Sequence, residues 1–148
     1  MVKSCEQLVV EKIANGTVID HIPAKMGLAV LKMLDLSEHD GRLALIINVP
    51  SKKLGKKDII KIENLLVKEK EINKIALVAP DATINLVENE TVKSKAAVKL
   101  PEIVEGIVKC PNPACVTNHE PIETRFRTNG GVRCAYCERT YKADELLK

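Results

Sequence analysis

The spacing Cys110-x4-Cys115-x18-Cys134-x2-Cys137 constrains this chain more than any other feature of its sequence. Two close cysteine pairs separated by a longer loop let two turns of chain present four sulfurs tetrahedrally. That arrangement suits zinc, with Zn–S bonds of about 2.3 Å. The turns are written into the flanking residues. Pro111, Asn112 and Pro113 shape the first, and Asn129-Gly130-Gly131 makes a hairpin tip ahead of Val132-Arg133-Cys134. Residues 101–148 hold few large apolar groups, and chains below roughly 70 residues seldom fold on hydrophobic burial alone. A bound metal would supply what that small core lacks.

Two disulfides are the competing reading, which a reducing compartment and the tight Cys134-Ala135-Tyr136-Cys137 spacing disfavour. An iron site of rubredoxin type would use the same four ligands, so spacing alone leaves zinc and iron both open. A closed four-sulfur shell leaves no position for water or substrate, so the expected role is structural rather than catalytic. His119 is then a solvent-exposed loop histidine, and Cys5 has no partner nearby.

The chain has 148 residues, 45% of them hydrophobic and 29% charged, as in soluble globular proteins. No apolar run is long enough to cross a bilayer, and Met1-Val2-Lys3-Ser4-Cys5-Glu6-Gln7 does not open a secretory signal. The expected setting is therefore cytoplasmic, with no membrane partner. Residues 1–100 carry 16 Lys/Arg against 13 Asp/Glu, whereas residues 101–148 carry seven of each. A balanced tail argues against a zinc-ribbon nucleic-acid adaptor, because nonspecific nucleic-acid affinity comes from clustered cations. One Phe, two Tyr and no Trp leave few platforms for base stacking.

Along the chain, residues 7–13 and 17–19 read as extended, broken by the turn signal Asn15-Gly16. Met26, Ala29, Val30, Met33 and Leu34 recur at helical spacing after Pro23 and predict an amphipathic helix ending near Leu36. The apolar run 43–49 predicts a strand covered on both faces, followed by a lysine-rich loop. Ile59, Ile62, Leu65 and Leu66 predict a second helix over 58–70, capped by Asp58. Segments 75–79, 83–87 and 92–98 read as strands. With one short strand near the lysine loop the order is βαββαβ, the split βαβ of a ferredoxin-like sandwich. The expected fold class is α+β, with a domain boundary at Leu100-Pro101 giving domains 1–100 and 101–148, the second a small β-rich zinc ribbon.

No serine or second histidine is placed to make a nucleophile–base pair, and no catalytic constellation emerges. Asp20-His21 sits where a strand ends and a helix begins, a favourable place for a ligand, but local physics favours the reading in which Asp20 caps the helix and His21 makes a structural hydrogen bond. Lys52, Lys53, Lys56 and Lys57 are expected to be solvated. Lys61 and Lys95 lie among apolar residues and could hold a triphosphate or snorkel to water.

Several longer motifs run nearly end to end: Gly16-Thr17-Val18-Ile19-Asp20-His21-Ile22-Pro23-Ala24, Lys57-Asp58-Ile59-Ile60-Lys61-Ile62-Glu63-Asn64, Ala79-Pro80-Asp81-Ala82-Thr83-Ile84-Asn85, Leu100-Pro101-Glu102 and the four cysteines. In these the chain resembles the regulatory chains of aspartate carbamoyltransferase. The resemblance implies a noncatalytic subunit in which ATP, CTP and UTP share one site on the first domain, giving feedback control of pyrimidine biosynthesis. By matching positions, Val10, Glu11, Lys12 and Ile13 would line the base, Asp20 and Lys61 the ribose, and His21 and Lys95 the phosphates. Ile59, Asn85, Leu86, Val87 and Val92 would complete the pocket. Glu90 stands where some members carry an aromatic residue. The resemblance also implies one zinc per chain and pairing of regulatory chains through their first domains. The zinc domains would grip catalytic chains, with three regulatory dimers joining two catalytic trimers.

Overall fold

A computed structural model describes residues 13–146. The expected strand over 7–13 lies almost wholly outside them, as do Cys5, Val10, Glu11 and Lys12. Strand β1 (Gly16–Pro23) is followed by helix α1 (Gly27–Met33), strands β2 (Leu43–Ser51) and β3 (Gly55–Glu63), helix α2 (Glu69–Val78), and strands β4 (Thr83–Glu88) and β5 (Thr91–Ala97). These five strands form one antiparallel sheet in the order β2-β3-β1-β4-β5. Placing β1 between β3 and β4 is the split βαβ arrangement, to which β5 adds a further edge strand.

Alternation in β1 explains the two faces. Thr17, Ile19 and Ile22 are buried, whereas Val18, Asp20 and His21 are partly open. The pairing with β3 shifts between Ile19 and Ile22, and His21 takes φ 59° there. This bulge leaves two consecutive polar residues on the open side and returns Ile22 to the core. Ile60 and Ile62 of β3 and Ile84 of β4 join Ile19 beneath the helices, together with Val30, Ile75 and Ala76. Thr17 is buried without penalty because its hydroxyl donates to the Leu65 carbonyl at 2.5 Å.

Three elements differ from the sequence reading. Residues 58–63 are strand, not helix, because Asp58, Ile60 and Ile62 are buried at a spacing of two. The following helix begins at Glu69 and includes most of 75–79, which is therefore not a strand. Its opening Glu69 and Glu71 suit the positive end of a helix dipole, and its last residues Ile75, Ala76, Leu77 and Val78 are all buried, so their continuous apolar run reflects a helix end enclosed on every side. Strand β2 lies at the sheet edge and is not covered on both faces, with Leu43 and Ile47 exposed to 43% and 47%. The lysine-rich segment is a β2–β3 hairpin, turning at Gly55 with φ 79°.

Beyond β5 the chain builds a second sheet from β6 (Ile103–Glu105), β7 (Arg125–Arg127), β8 (Val132–Cys134) and β9 (Thr140–Tyr141), in that order. A 3₁₀ turn (Val116–Asn118) precedes β7, and helix α3 (Ala143–Leu146) follows β9. Val104 and Phe126 are its fully enclosed apolar residues. The two sheets share no strand among the described residues. No helix among those residues is long and apolar enough to cross a membrane.

Candidate metal centre and effector cleft

The first cysteine pair sits in a turn held by two asparagines. Asn112 Oδ1 accepts the Ala114 N–H at 3.0 Å, and the Cys115 N–H donates to the Asn112 carbonyl at 3.0 Å. Asn118 Nδ2 donates to the carbonyls of Cys110 and Asn112 at 3.0 and 2.7 Å, closing the turn from outside. The second pair lies at the end of β8, where Cys134 N–H donates to the Arg139 carbonyl and Glu138 N–H to the Cys134 carbonyl. Glu138 takes φ 62° to complete that turn.

These two turns bring the four sulfurs within 4.8 Å of one another. Cys110 and Cys137 Sγ are 3.7 Å apart, and Cys115 and Cys134 Sγ are 3.8 Å apart. A tetrahedron with Zn–S bonds of about 2.3 Å has edges of about 3.8 Å, whereas a disulfide needs roughly 2.05 Å. All four are free cysteines. The donor set and its spacing fit a tetrahedral thiolate-bound ion. Burial pushes the Cys110 thiol up to about 12. Burial also opposes ionisation of Cys137, but the Arg139 backbone amide, Asn112, Cys110 and Cys134 outweigh it and bring that thiol down to about 6. A divalent cation would hold all four as thiolates. Tyr141 OH lies 3.7 and 3.9 Å from the sulfurs of Cys110 and Cys137, and Thr117 Oγ1 lies 3.2 Å from that of Cys115. Such hydroxyls offset the surplus negative charge. His119 stays outside the ligand set, its Nε2 donating to the Pro113 carbonyl at 2.7 Å.

A second site lies on the face of the first sheet opposite its helices. Register places Lys61, Val18, Asn85 and Lys95 in one row across β3, β1, β4 and β5. Paired residues of antiparallel strands share a face, so this row presents two cations and an amide around an apolar centre. A cleft of about 290 Å³ follows it, lined by Ile13, Val18, Lys61, Asn85, Val87, Glu90 and Val92. Asn85 Oδ1 is buried there without a hydrogen-bond partner among the described residues. A buried acceptor left unpaired costs free energy and favours a ligand that donates to it.

Beside the cleft, Asp20 Oδ1 is 2.9 Å from Lys57 Nζ and accepts the His21 N–H at 2.6 Å. Burial opposes the charge on Asp20, but the hydrogen bond from Lys57, the His21 amide and the Lys57 charge hold its carboxyl below the ordinary 3.8. Because the folded pKa is depressed, this contribution to stability is complete above 3.8 and lost as pH falls through the lower folded value. Asp20→Asn should therefore be less stable than wild type at neutral pH, with the gap closing in acid. Urea midpoints at both pH values measure this, and a gap that stays constant would contradict it.

Two family models match the chain: the allosteric domain of the aspartate carbamoyltransferase regulatory chain over residues 8–99, and the metal binding domain of the same chain over 102–147. The chain belongs to the aspartate carbamoyltransferase regulatory-chain family. Regulatory chains similar to it include that of Pyrococcus horikoshii, 51% identical over 95% of this chain and 97% of the relative. That of Thermococcus gammatolerans is 49% identical over 95% and 97%. The regulatory chain of Vibrio cholerae is 46% identical over 96% and 95%. Members of this family are regulatory, so the chain is a noncatalytic subunit rather than an enzyme.

Of the positions that resemblance to regulatory chains nominated, Ile13, Lys61, Asn85, Val87 and Val92 line the one cleft. Lys95 extends the same row, and His21 stands beside it with Nδ1 3.1 Å from Thr83 Oγ1. Asp20 and Ile59 share the open face but do not line the cleft, and Asp20 does not cap α1. Leu86 pairs with Thr17 and packs against the core, on the helix side. Val10, Glu11 and Lys12 lie outside the described residues. Sequence reasoning did not count Val18 and Glu90 as lining residues. Alternation in β1 could have found Val18, two residues from Asp20. Lys57, expected to be solvated, is a strand residue whose side chain is mostly enclosed against Asp20.

Proposed function

We propose that this chain is the nucleotide-sensing subunit of an aspartate carbamoyltransferase assembly. In this reading residues 1–100 form the allosteric domain and bind ATP, CTP or UTP in the cleft on the open face. Lys61 and Asp20 serve the ribose side, and His21 and Lys95 take the triphosphate. Residues 101–148 form the metal domain, in which Cys110, Cys115, Cys134 and Cys137 hold one zinc ion. The observation that carries the effector reading is the buried, unpartnered Asn85 Oδ1 in a cleft flanked by Lys61, with Lys95 in the same row. The exposed Leu43 and Ile47 on edge strand β2 support pairing of two regulatory chains. The metal domain docks on catalytic chains, three regulatory dimers joining two catalytic trimers, and so brings feedback control to pyrimidine biosynthesis in the cytoplasm.

Nucleotide binding must differ in affinity between two quaternary states to move the enzyme between them, and substrate must reciprocally alter nucleotide affinity. Couplings of this kind run to about 1–3 kcal/mol. Calorimetry with ATP and CTP on the chain, alone and assembled, tests the reading directly. Lys61→Ala or Lys95→Ala should weaken triphosphate binding by about tenfold to a hundredfold, since a hydrogen bond to a charged group contributes about 1.5–3 kcal/mol. Metal content should not change. Nucleotide affinity unaltered in both variants would sink the site assignment, and no binding by wild type would sink the sensor itself. A colourless preparation with one zinc per chain is expected, whereas a coloured one with iron would overturn the metal assignment.

A further inference from the structure

A concavity of about 490 Å³ lies on the helix side of the first sheet, where that layer meets the metal-binding end of the chain. It shares no residue with the effector cleft. Its walls come from both halves: Leu28 and Lys32 on α1, Lys74 on α2, Val108 just before the first cysteine, and Leu146 on α3. The volume falls within the range of small-molecule sites, which favour such junctions.

The chemistry of this cavity is one-sided. Leu28, Val108 and Leu146 give it an apolar floor, and Leu28 is left 49% exposed although it sits on a helix packed against the core. Around that floor stand Lys25, Lys32 and Lys74, with no acidic residue in the lining. None of the three forms an ion pair with any described residue. Lys25 also takes φ 74°, a left-handed conformation that disfavours any side chain larger than glycine's. That φ belongs to the turn closed by the Met26 N–H on the Pro23 carbonyl, which fixes where the Lys25 side chain leaves the backbone. Three like charges over a shared apolar surface repel one another and favour an anion that neutralises them.

We propose that this cavity is a second ligand site, for a small amphiphilic anion. The apolar body rests on Leu28, Val108 and Leu146, and its carboxylate, sulfonate or phosphate head meets Lys25, Lys32 and Lys74. Because the walls belong to both halves of the chain, such a ligand bridges the joint between the helix layer and the metal sheet. Any change in how the two halves sit would change its affinity, which makes it a modulator of the route between them. The site stands whether or not the other cleft binds nucleotides.

The test is fluorescence titration of the full, metal-loaded chain with 8-anilinonaphthalene-1-sulfonate, in saturating ATP so that the other cleft is excluded as a source of signal. One saturable class per chain is expected. The double substitution Lys32→Ala with Lys74→Ala should weaken it by about tenfold, consistent with two partly solvated charge contacts. Leu28→Glu should abolish it by charging the floor. N-phenyl-1-naphthylamine, which lacks the sulfonate, should bind less tightly and be indifferent to the lysine substitutions. Binding of the sulfonate that is unsaturable, or unchanged in the lysine double variant, would overturn the site. So would equal affinity for the neutral analogue.

Discussion

Removing the metal with a chelator, or replacing Cys134 by Ser, should unfold residues 101–148 while the five-stranded sheet persists. Strands β6, β7 and β8 are three residues long and β9 is two, so their ladders contribute few hydrogen bonds. Val104, Phe126, Val132, Tyr141 and Leu146 supply the buried apolar side chains. Ordering the backbone costs about 1–2 kcal/mol per residue, more than a handful of side chains at about 1.5–3 kcal/mol each can offset. A four-thiolate zinc site contributes an apparent 10–16 kcal/mol to folding, the largest single contribution open to this part of the chain. Limited proteolysis and circular dichroism of the metal-free chain should show cleavage confined to the region after Pro101. Nucleotide titration should be nearly unaffected, and assembly with catalytic chains should fail. A proteolytic pattern that is the same with and without metal would show that the sheet stands by itself.

The cysteine tetrad was legible because its geometry is local: each pair is positioned by its own turn. The first is spelled out by Pro111 and Asn112 and the second by the Cys134-x2-Cys137 spacing itself, with Gly130-Gly131 turning the hairpin that leads into it. The middle of the first sheet was not. Ile59, Ile62, Leu65 and Leu66 fit a helical period, while Asp58, Ile60 and Ile62 fit a strand, and the two patterns overlap in one segment and share Ile62. What decides between them is remote. Strand β3 must reach both β1 and β2, pairing Lys61 with Val18 on one side and Ala44 on the other. Once 58–63 is strand, the helix owed to the βαββαβ order moves downstream onto 69–78. Edge position is equally nonlocal, and the apolar run of β2 does not announce which of its faces stays open. Most positions of the candidate cleft were nominated by resemblance, with Lys61 and Lys95 also singled out by their apolar surroundings. Local physics favoured a helix cap for Asp20, which α1 does not use, because the bulge that turns Asp20 and His21 outward depends on pairing with β3. Strand order then explains why Val18, Lys61, Asn85 and Lys95, far apart in sequence, form one row.

Asp58→Ala should cost about 3–5 kcal/mol, because the residue read as a helix cap for its own segment caps a different helix from inside the core. Its side chain is fully buried. Oδ2 accepts the Gly27 N–H at 2.8 Å at the start of α1, and Oδ1 accepts the Asn48 N–H at 3.0 Å where the β2–β3 register shifts. One carboxyl group thus ties a helix start and an irregular edge strand to β3. The fit is close enough that a Cβ on Gly27 would stand 2.8 Å from Oδ2 and 2.7 Å from Leu45 Cδ1. Alanine at 58 strands the buried Gly27 N–H away from water, at about 1–3 kcal/mol, removes the partly buried hydrogen bond from the exposed Asn48, at about 0.5–1.5 kcal/mol, and leaves a cavity besides. Against a typical total stability of about 5–15 kcal/mol the loss is large. Asp58→Asn keeps the shape but sets an amide NH₂ against one of the two N–H donors, so roughly half the loss should remain. Urea denaturation of the two variants beside Asp81→Ala, an exposed control expected to change by less than about 0.5 kcal/mol, separates the contributions. If Asp58→Asn matches wild type, the buried carboxyl is not needed as a double acceptor and the link between α1 and β2 lies elsewhere.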